Sequence, residues 1–596
     1  MIRQSSYRAF GIVTALTVML GAVLPARSAT LGDFALLDQY GAFHQLTRYR
    51  HKQAIVLMSH SNQCEATFAQ VPRYKNLRER WQAQDIAFLM IDSSPQVSRQ
   101  DVRDEAELFD IDFPILIDNH QLVAESLGLT MVPQVLIIDP HRMRIVFNGP
   151  LDPRQRRREP KPQPLTETLA RIVAGEAADM QTVTLPLAQA EDGSDRTTCE
   201  LEFPQRDYHA LNAPDYARDV APILRENCVH CHSEGGIGPF AMNSYAMVRG
   251  WSAMMREVLM TKRMPPAQVD PEIGHFTNAR FIGDGELQTL VHWIDAGTPR
   301  GDGHDPLVEP FVDTNESGWQ LGEPDYVVHI PPQEVPATGV LDYRHVVIDL
   351  PFDEDKWVSA VHFRPGDKKV MHHLLSYVIP PDYDWRSDST PRSQRRFLEG
   401  YAPGKIDAMR YPDQSGVYIP KGYKLSMQLH YTTYGKPTVD NTRVGLYFHD
   451  TPPLHEFHNK SVTQGEFVIP AGAVEHRASQ QYVFDKSIVL YGLRPHMHYR
   501  GKHFKFKVIY PDRTTEELLS VPNYHFNWQP TYRLESPKVL PAGSRVVISG
   551  AFDNSSNNPG NPDPSKEISW GAQSWDEMFI GYFAYHFVDP ETVRTD

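Results

Sequence analysis

The segment Cys228-Val229-His230-Cys231-His232 decides the fold in the middle of this 596-residue chain. Two cysteines separated by two residues and followed at once by histidine form the pattern to which c-type haem is attached. The thiols of Cys228 and Cys231 are then predicted to carry thioether bonds, with His232 as the proximal ligand of the iron. A CxxC beside a histidine also arises by chance or as half of a zinc site.

Two predicted helices flank the motif and favour haem. The residues from Tyr216 to Arg225 predict a helix that leads into the motif. A second helix is predicted from Asp284, and its apolar side chains share one face: Leu287, Leu290, Val291 and Ile294. Residues 214–303 are therefore predicted to form an all-α cytochrome c domain.

A proline-containing stretch offers a sixth iron ligand. Arg263-Met264-Pro265-Pro266 resembles the loop in which many small bacterial cytochromes c carry their axial methionine. The resemblance implies that the Met264 thioether ligates the iron, which raises the reduction potential and suits electron transfer. The alternatives are core packing of Met264, or ligation by a methionine of the preceding helix: Met254, Met255 or Met260.

Length, charge and the N-terminus limit the class of protein. A chain of this length is predicted to divide into several domains. The net charge of -15, without a basic stripe, gives no support for binding to nucleic acid. Residues 1–29 place Arg3 and Arg8 before an apolar stretch and then small residues, which predicts a cleaved signal peptide, with an uncleaved anchor as the alternative. Export with covalent haem indicates a bacterial periplasm, with no stable membrane span after signal cleavage.

Residues 30–180 show the strand order of a thioredoxin-like α/β domain. Buried strands are predicted at 55–58, 86–92 and 135–139, with Cys64 after the first and Val132-Pro133 before the last. This order resembles the redoxin branch of the thioredoxin fold. The resemblance implies a cis proline that faces the cysteine.

The thiol chemistry of this domain is open. Position 67 is Thr, so the CxxC of two-cysteine redox members is missing, and the residues before Cys64 differ from the peroxiredoxin pattern. A helix N-terminus at Cys64 would favour a reactive thiolate. The alternative is a structural or docking role, including a disulfide to Cys199 in an extended linker predicted over residues 181–213.

The last part of the chain is predicted to form two all-β sandwich, jelly-roll-like domains, residues 320–455 and 456–596. Alternating apolar runs there are separated by Pro, Gly, Asn and Asp at short intervals. Two motifs in the first domain contain histidine: Val370-Met371-His372-His373-Leu374-Leu375 and Met427-Gln428-Leu429-His430-Tyr431. Adjacent histidines point to opposite faces of a strand, so this pair shares a metal only where the strand bends or where the rings use different nitrogens.

The second of these domains offers two further motifs. In Arg494-Pro495-His496-Met497-His498 the histidines lie two residues apart and so share a strand face, and Trp575-Asp576-Glu577-Met578 offers a thioether. Three imidazoles in one site, and two imidazoles with a thioether in another, suit a metal that cycles between Cu(I) and Cu(II).

Together the four motifs, in this order, resemble the copper type II, ascorbate-dependent monooxygenases, the family of the peptidylglycine and dopamine hydroxylases. The resemblance implies two copper ions. His372, His373 and His430 would hold the electron-transfer copper, and His496, His498 and Met578 the copper at which O2 and substrate meet. The family's disulfides are missing, since no cysteine follows Cys231.

Two further residues match positions that bind the substrate carboxylate in peptide-processing members. They are Arg494 and Tyr582, and the alternatives are a structural ion pair for Arg494 and a core aromatic for Tyr582.

The function expected from these features is hydroxylation of a C–H bond in an organic or peptide substrate with O2. Electrons would pass from an external donor through the fused haem to the first copper site. Two alternatives remain: a non-enzymatic periplasmic copper-binding or redox-sensing protein, and a thiol peroxidase with accessory haem and copper.

Overall fold

The computed structural model describes residues 30–151, 163–187, 198–266, 269–309, 318–384, 394–402 and 408–588. The predicted signal peptide, residues 1–29, lies outside the described residues. Within them, no helix combines the length and the apolar character that crossing a membrane requires.

An α/β unit opens the chain. In chain order its strands and helices are β1 (Ala35–Asp38), β2 (Phe43–Gln45), β3 (Ala54–His60), α1 (Glu65–Trp81), β4 (Ile86–Asp92), α2 (Arg99–Leu108), β5 (Ile115–Ile117), α3 (Leu122–Leu127), β6 (Met131–Val132), β7 (Val135–Asp139), β8 (Arg144–Gly149), α4 (Pro164–Val173) and β9 (Val183–Thr184). One sheet has the order β2-β1-β5-β4-β3-β7-β8-β9, in which β3, β4 and β5 run parallel and β7 runs antiparallel to β3. Every residue of β3 is buried, as expected of a central strand covered on both faces. The predicted strands are confirmed.

A disulfide joins Cys64 to Cys199. Cys64 directly precedes α1, and Cys199 lies in β10 (Cys199–Glu200), which pairs with β6 so that Cys199 is opposite Val132. The peptide bond from Val132 to Pro133 is cis, as the resemblance implied. Of the roles considered for Cys64, the bridge to Cys199 is the one present in this structure.

The middle of the chain is helical. Its helices are α5 (Pro204–Leu211), α6 (Ala221–Asn227), α7 (Tyr245–Met260) and α8 (Asp284–Asp295). A π-helical turn, Tyr216–Val220, precedes α6, so the predicted helix before the CxxCH motif is confirmed with a wider first turn. The predicted helix from Asp284 is confirmed as α8, which buries Leu287, Leu290 and Val291. That these helices form a cytochrome c domain stays a prediction.

The extended linker predicted over residues 181–213 is wrong where α5 forms. Pro204 occupies the first turn of α5, a position that suits proline because its missing N–H would have no helical partner. His209 of α5 then bonds to His292 of α8, with Nδ1 atoms 2.8 Å apart. The helix is held by tertiary packing, which local periodicity does not reveal.

The first β-domain has two sheets around one core. Its strands are β11 (Tyr326–His329), β12 (Gln333–Val335), β13 (Arg344–Asp349), β14 (Lys356–Arg364), β15 (Met371–Ile379), β16 (Arg396–Tyr401), β17 (Met409–Arg410), β18 (Ser415–Ile419), β19 (Lys424–Tyr431), β20 (Thr438–Asp440), β21 (Arg443–Phe448) and β22 (His455–Glu456). One sheet has the order β11-β21-β14-β18-β22 and the other β13-β19-β15-β16. A third, two-stranded sheet pairs β12 with β20, and buried side chains from the two larger sheets form one apolar cluster. The prediction that this part of the chain consists of β-sheets is confirmed.

The second β-domain repeats this arrangement. Its strands are β23 (His458–Gln464), β24 (Val468–Ile469), β25 (His476–Val483), β26 (Ile488–His496), β27 (Gly501–Ile509), β28 (Thr515–Val521), β29 (Tyr532–Leu540), β30 (Arg545–Phe552), β31 (Ile568–Ser569) and β32 (Phe579–Phe587). The sheets β23-β32-β26-β29 and β25-β30-β27-β28 enclose a core rich in phenylalanine. With no cysteine in this part of the chain, apolar packing replaces disulfides as the source of stability.

The segment before α8 ties the other units together. Arg99 in the first turn of α2 forms a buried ion pair with Asp270, with Nη1 and Oδ2 2.6 Å apart. The backbone N–H of Asp270 donates to the carbonyl of Ser520 in β28. The α/β unit, the helical unit and the second β-domain therefore meet at one buried residue.

Candidate metal centres

A β-bulge brings the adjacent histidines of β15 together. His373 lies opposite His430 of β19, and the register shifts between Met371 and His373. A bulge bends its strand and re-aims a side chain, and here the ring centroids of His372 and His373 are 4.1 Å apart. The bend that a shared metal requires is present.

The three imidazoles form one compact donor set. One ring nitrogen from each of His372, His373 and His430 lies within 4.8 Å of the other two. Among the described residues, His373 Nε2 and His430 Nδ1 are buried without a hydrogen-bond partner. Buried polar atoms are rarely left unpaired, so these nitrogens point to a ligand such as a metal ion.

Burial keeps these rings neutral. Desolvation lowers the pKa of His372 to about 4 and that of His430 to about 3. It also lowers the pKa of His373, and the neighbouring histidines act in the same direction. A neutral imidazole offers a lone pair to a metal, so the residues fit copper, for which imidazole is a suitable ligand.

The second histidine pair lies where β26 ends. The ring centroids of His496 and His498 are 5.3 Å apart. His496 Nδ1 donates to Gln529 Oε1 (2.5 Å), and His498 Nδ1 donates to the carbonyl of Asp576 (3.1 Å). His498 Nε2 is buried with no partner among the described residues. Desolvation lowers the pKa of His496 to about 3 and that of His498 to about 4, so both rings are neutral ligands.

The strand register brings Met578 towards this pair. His496 of β26 is opposite Ile580 of β32, and Met578 lies two residues before Ile580. The Met578 side chain is partly buried. Two imidazoles and a thioether at one sheet end are a donor set that suits copper.

A buried carboxylate fixes this end of the sheet. Glu577 accepts hydrogen bonds from the backbone N–H groups of His498 (2.8 Å) and Arg500 (2.6 Å), and from that of Met578. Burial raises the pKa of Glu577 to about 8, although these bonds and the charge of Arg500 lower it. Glu577 thus joins the two segments that carry the candidate ligands.

Arg494 lies between two aromatic rings. Its guanidinium carbon is 4.2 Å from the ring centroid of Tyr582 and 4.9 Å from that of Phe397. No carboxylate among the described residues pairs with Arg494, so the structural ion pair considered for it is not found there. The ring of Tyr582 also lies 6.4 Å from that of His496, which places both residues beside the second histidine pair.

The CxxCH residues form a turn that continues α6. The backbone N–H groups of Cys231 and His232 both donate to the carbonyl of Cys228 (3.1 and 3.0 Å), and the two cysteines are not joined to each other. His232 Nδ1 donates to the carbonyl of Phe240 (3.1 Å), which leaves Nε2 for an axial bond. Two unbridged thiols and an oriented imidazole fit the attachment of haem.

The methionines after this turn differ in exposure. Met264 is partly buried in the loop that follows α7. Of the rival candidates, Met254 is exposed, whereas Met255 and Met260 are buried in the core that the helices share with the α/β unit. Met264 thus lies outside this core, and its role as an iron ligand stays a prediction.

The CxxCH turn faces the first β-domain. Residues 233–236 and residues 365–369 line opposite sides of a cleft of about 380 Å³. Burial raises the pKa of Tyr401, and the nearby Cys231 raises it further. Tyr401 of β16 is opposite Leu374 of β15, the residue after His373. The candidate haem attachment therefore lies beside the strands that carry the first histidine cluster.

Sequence patterns did not identify the loop between β28 and β29. Phe526, Asn527 and Gln529 in this loop contact histidines of both clusters. The loop has no periodicity and no metal-binding motif, so only the tertiary structure reveals its position.

Comparison with known proteins supports two parts of the chain. Residues 28–146 match the family model described as AhpC/TSA family, and residues 464–595 match that of the copper type II ascorbate-dependent monooxygenase, C-terminal domain. The thiol-disulfide oxidoreductase ResA of Geobacillus thermodenitrificans (strain NG80-2) is 30% identical over 115 residues, 19% of this chain and 64% of ResA. The chain thus spans less than two thirds of the length of this relative.

Solved structures match the N-terminal part only weakly. A hypothetical protein of Sinorhizobium meliloti 1021 is 22% identical and covers 30% of this chain and 96% of its own, with a TM-score of 0.25. The exposed lipoprotein thioredoxin Etrx1 of Streptococcus pneumoniae strain TIGR4 is 20% identical and covers 23% and 98%, with a TM-score of 0.20.

The family matches confirm two of the expectations from sequence. The chain begins with a thioredoxin-like domain of the redoxin kind, and its last domain is related to copper-dependent monooxygenases, oxidoreductases that use copper, O2 and a second substrate.

Proposed function

We propose that this protein is a copper-dependent monooxygenase that hydroxylates a C–H bond and receives its electrons through a c-type haem. The observation that carries the proposal is the set of neutral imidazoles of His372, His373 and His430, two of whose buried nitrogens lack partners among the described residues. In the overall reaction, the substrate R–H, O2, two electrons and two protons give R–OH and water. A one-electron donor such as ascorbate supplies the electrons.

The chain's residues hold and separate the two metal sites. Bound copper would supply one-electron transfer at the first site and reduction of O2 at the second. The first site lies on the paired strands β15 and β19 and presents the lone pairs of three histidines, His372, His373 and His430. A site enclosed in this way suits storage of an electron. His496, His498 and Met578 lie at a sheet end bordered by loops, and O2 and substrate would bind on that side.

Arg494 suits recognition of an anionic group on the substrate. Its guanidinium is held between the rings of Phe397 and Tyr582, and no carboxylate among the described residues pairs with it, so its N–H groups suit a substrate carboxylate. The proposed substrate is therefore an organic or peptide molecule with a carboxylate near the C–H bond that reacts.

The helical unit is proposed to be the electron inlet, the point at which electrons from the external donor enter the protein. Cys228 and Cys231 would attach the haem, and His232 and Met264 would ligate its iron, which supplies one-electron transfer. The hydrogen bond from His232 Nδ1 to Phe240 supports this part of the proposal, as does the position of the CxxCH turn beside Tyr401. The disulfide of Cys64 and Cys199 supports export to an oxidising compartment, which we propose is the periplasm.

Metal analysis with an O2-consumption screen tests the hydroxylase. We expect two coppers and one haem per chain, and a product that carries one added oxygen atom, with ascorbate as the reductant and peptides with a free carboxylate as substrates. An exposed histidine variant, His329→Ala, is the matched control and should keep both coppers. Zinc in place of copper, or copper without hydroxylation of any substrate, would contradict the proposal.

Rapid mixing tests the electron inlet separately. In copper-loaded protein, reduction of the haem should speed the loss of the Cu(II) signal of the first site. If protein that contains both cofactors shows no such acceleration, the proposal that electrons enter through the haem is wrong, and the proposed hydroxylase function still stands.

Redox sensing is a second candidate, which the Cys64–Cys199 disulfide in a domain of the redoxin kind favours. The Met578→Ala variant separates the two functions. Loss of O2-dependent turnover is expected of the monooxygenase, whereas a sensor that only binds copper would lose affinity alone. A thiol peroxidase would instead lose all activity in Cys64→Ser, although the buried bridge of Cys64 gives that function less support.

A further inference from the structure

One loop lies between the two histidine clusters. It runs from the end of β28 to the start of β29, and three of its side chains contact candidate ligands. Asn527 Oδ1 accepts a hydrogen bond from His372 Nε2 (3.1 Å) in the first cluster. Gln529 Oε1 accepts one from His496 Nδ1 in the second.

The ring of Phe526 occupies the space between the clusters. It stacks on His372, with centroids 5.1 Å apart and planes 27° apart, and it meets His373 edge-on at 6.1 Å. On the other side it lies 6.0 Å from His498 at 89° and 4.5 Å from Tyr499. Only 7% of Phe526 is exposed. Three of its four aromatic neighbours are candidate ligands, which is unlike the apolar surroundings of an ordinary core phenylalanine.

The loop is itself held in place. The Tyr524 hydroxyl donates to the carbonyl of Met497 (2.8 Å) and accepts from the N–H of the same residue (2.9 Å), which lies between the two histidines of the second pair. Gln529 Nε2 donates to the carbonyl of Phe526 (2.7 Å). These bonds anchor the ring from the side of the second domain while it packs on histidines of the first.

We propose that Phe526 is a positioning residue that sets the separation of the two copper sites. This inference rests on the two-copper function proposed above. A second electron must reach the second site before O2 escapes in a partly reduced form, and a fixed separation favours that transfer. If this separation is not maintained, O2, two electrons and two protons leave as hydrogen peroxide, and the substrate is not hydroxylated.

The test compares Phe526→Ala and Phe526→Leu with the wild type and with Phe467→Ala, a partly buried phenylalanine of the same domain away from both clusters. The measurements are copper content, the Cu(II)–Cu(II) distance by pulsed dipolar EPR, kcat, KM, and peroxide released per product formed. For Phe526→Ala we expect two coppers, a broadened distance distribution, more peroxide per product, and a fall in kcat of about a hundredfold, the loss that a displacement of about 1 Å causes. KM should change much less, and Phe526→Leu should recover part of the rate because it fills part of the volume.

The outcomes distinguish the positioning role of Phe526 from the two-copper function on which it rests. Wild-type protein with fewer than two coppers would overturn the proposed function before any variant is compared. Wild-type distance and peroxide ratio in Phe526→Ala would overturn the positioning role and leave the function standing. Loss of copper or of folding in both Phe526 variants would also overturn it, since the ring would then serve stability alone.

Discussion

The two histidine sites contain similar ligands but differ in what fixes them. The first is built within the hydrogen-bonded ladder of β15 and β19, where His373 faces His430 directly. The second is assembled from a strand end, the residue His498 beyond it, and the segment before β32, and it depends on hydrogen bonds to Glu577. The ladder holds His373 and His430 directly, whereas a strand end depends more on hydrogen bonds from outside the strand.

This difference suits two tasks. A site closed within a sheet changes shape little when it gains or loses an electron. A site at a sheet end is bordered by loops, which move more readily than paired strands to admit O2 and substrate. We therefore expect substitutions around the second site to affect copper binding and turnover more than matched substitutions around the first.

The largest effects should follow loss of a ligand. His498→Ala should abolish hydroxylation, a fall on the order of 10³-fold or more, because several kcal/mol of transition-state stabilisation disappear with the metal. His430→Ala should abolish it as well but by a different route, since electrons can no longer reach the second site. Copper counting and the Cu(II) spectrum should show that each variant loses one site and keeps the other. Loss of both coppers from either variant would mean that the sites are not independent units.

Removal of the Glu577 carboxylate should weaken copper binding at the second site only. In Glu577→Ala three backbone N–H groups lose their acceptor, and copper affinity at the second site should fall about 10–100-fold. Glu577→Gln should fall less, because the amide oxygen still accepts hydrogen bonds and burial already raises the pKa of Glu577 towards its neutral form. Copper titration followed by EPR measures each site separately. Equal weakening of the first site would show that Glu577 supports the whole domain and not one site.

Loss of the anion-binding side chain should affect substrates more than metals. Arg494→Gln removes a charge-assisted contact worth about 1.5–3 kcal/mol, so KM for a carboxylate substrate should rise roughly 10–100-fold. A substrate that carries an amide in place of the carboxylate is the matched control, and Arg494→Gln should not raise its KM. An equal rise in KM for both substrates would assign Arg494 to packing between Phe397 and Tyr582.

The sequence identified the histidines of the two clusters more fully than the residues that surround them. The histidines of both clusters were identified because each motif is local, and the bulge at His372 was anticipated as a condition for metal sharing. The strands of the α/β unit and the helix α8 were predicted because their apolar periodicity is strong. These are features that neighbouring residues determine.

The parts that were missed depend on distant contacts. Helix α5 forms where the sequence suggested an extended linker, because His209 packs against α8 more than 80 residues later. The loop with Phe526 follows no periodic pattern, and its role comes from His372, about 150 residues earlier. No short-range signal records such pairs.

The smallest expected effects concern the residues that orient the imidazoles. Gln529 is buried and accepts from His496, so Gln529→Ala leaves a buried N–H unpaired and should lower copper affinity at the second site about tenfold. Asn527 is exposed and accepts a hydrogen bond from His372, so water can replace its oxygen in the variant. Asn527→Ala should therefore lower copper affinity at the first site only about threefold. Isothermal titration with one site preloaded measures both values. A larger loss from Asn527→Ala would reverse the comparison, because the first site would then depend on its loop more than the second depends on its own.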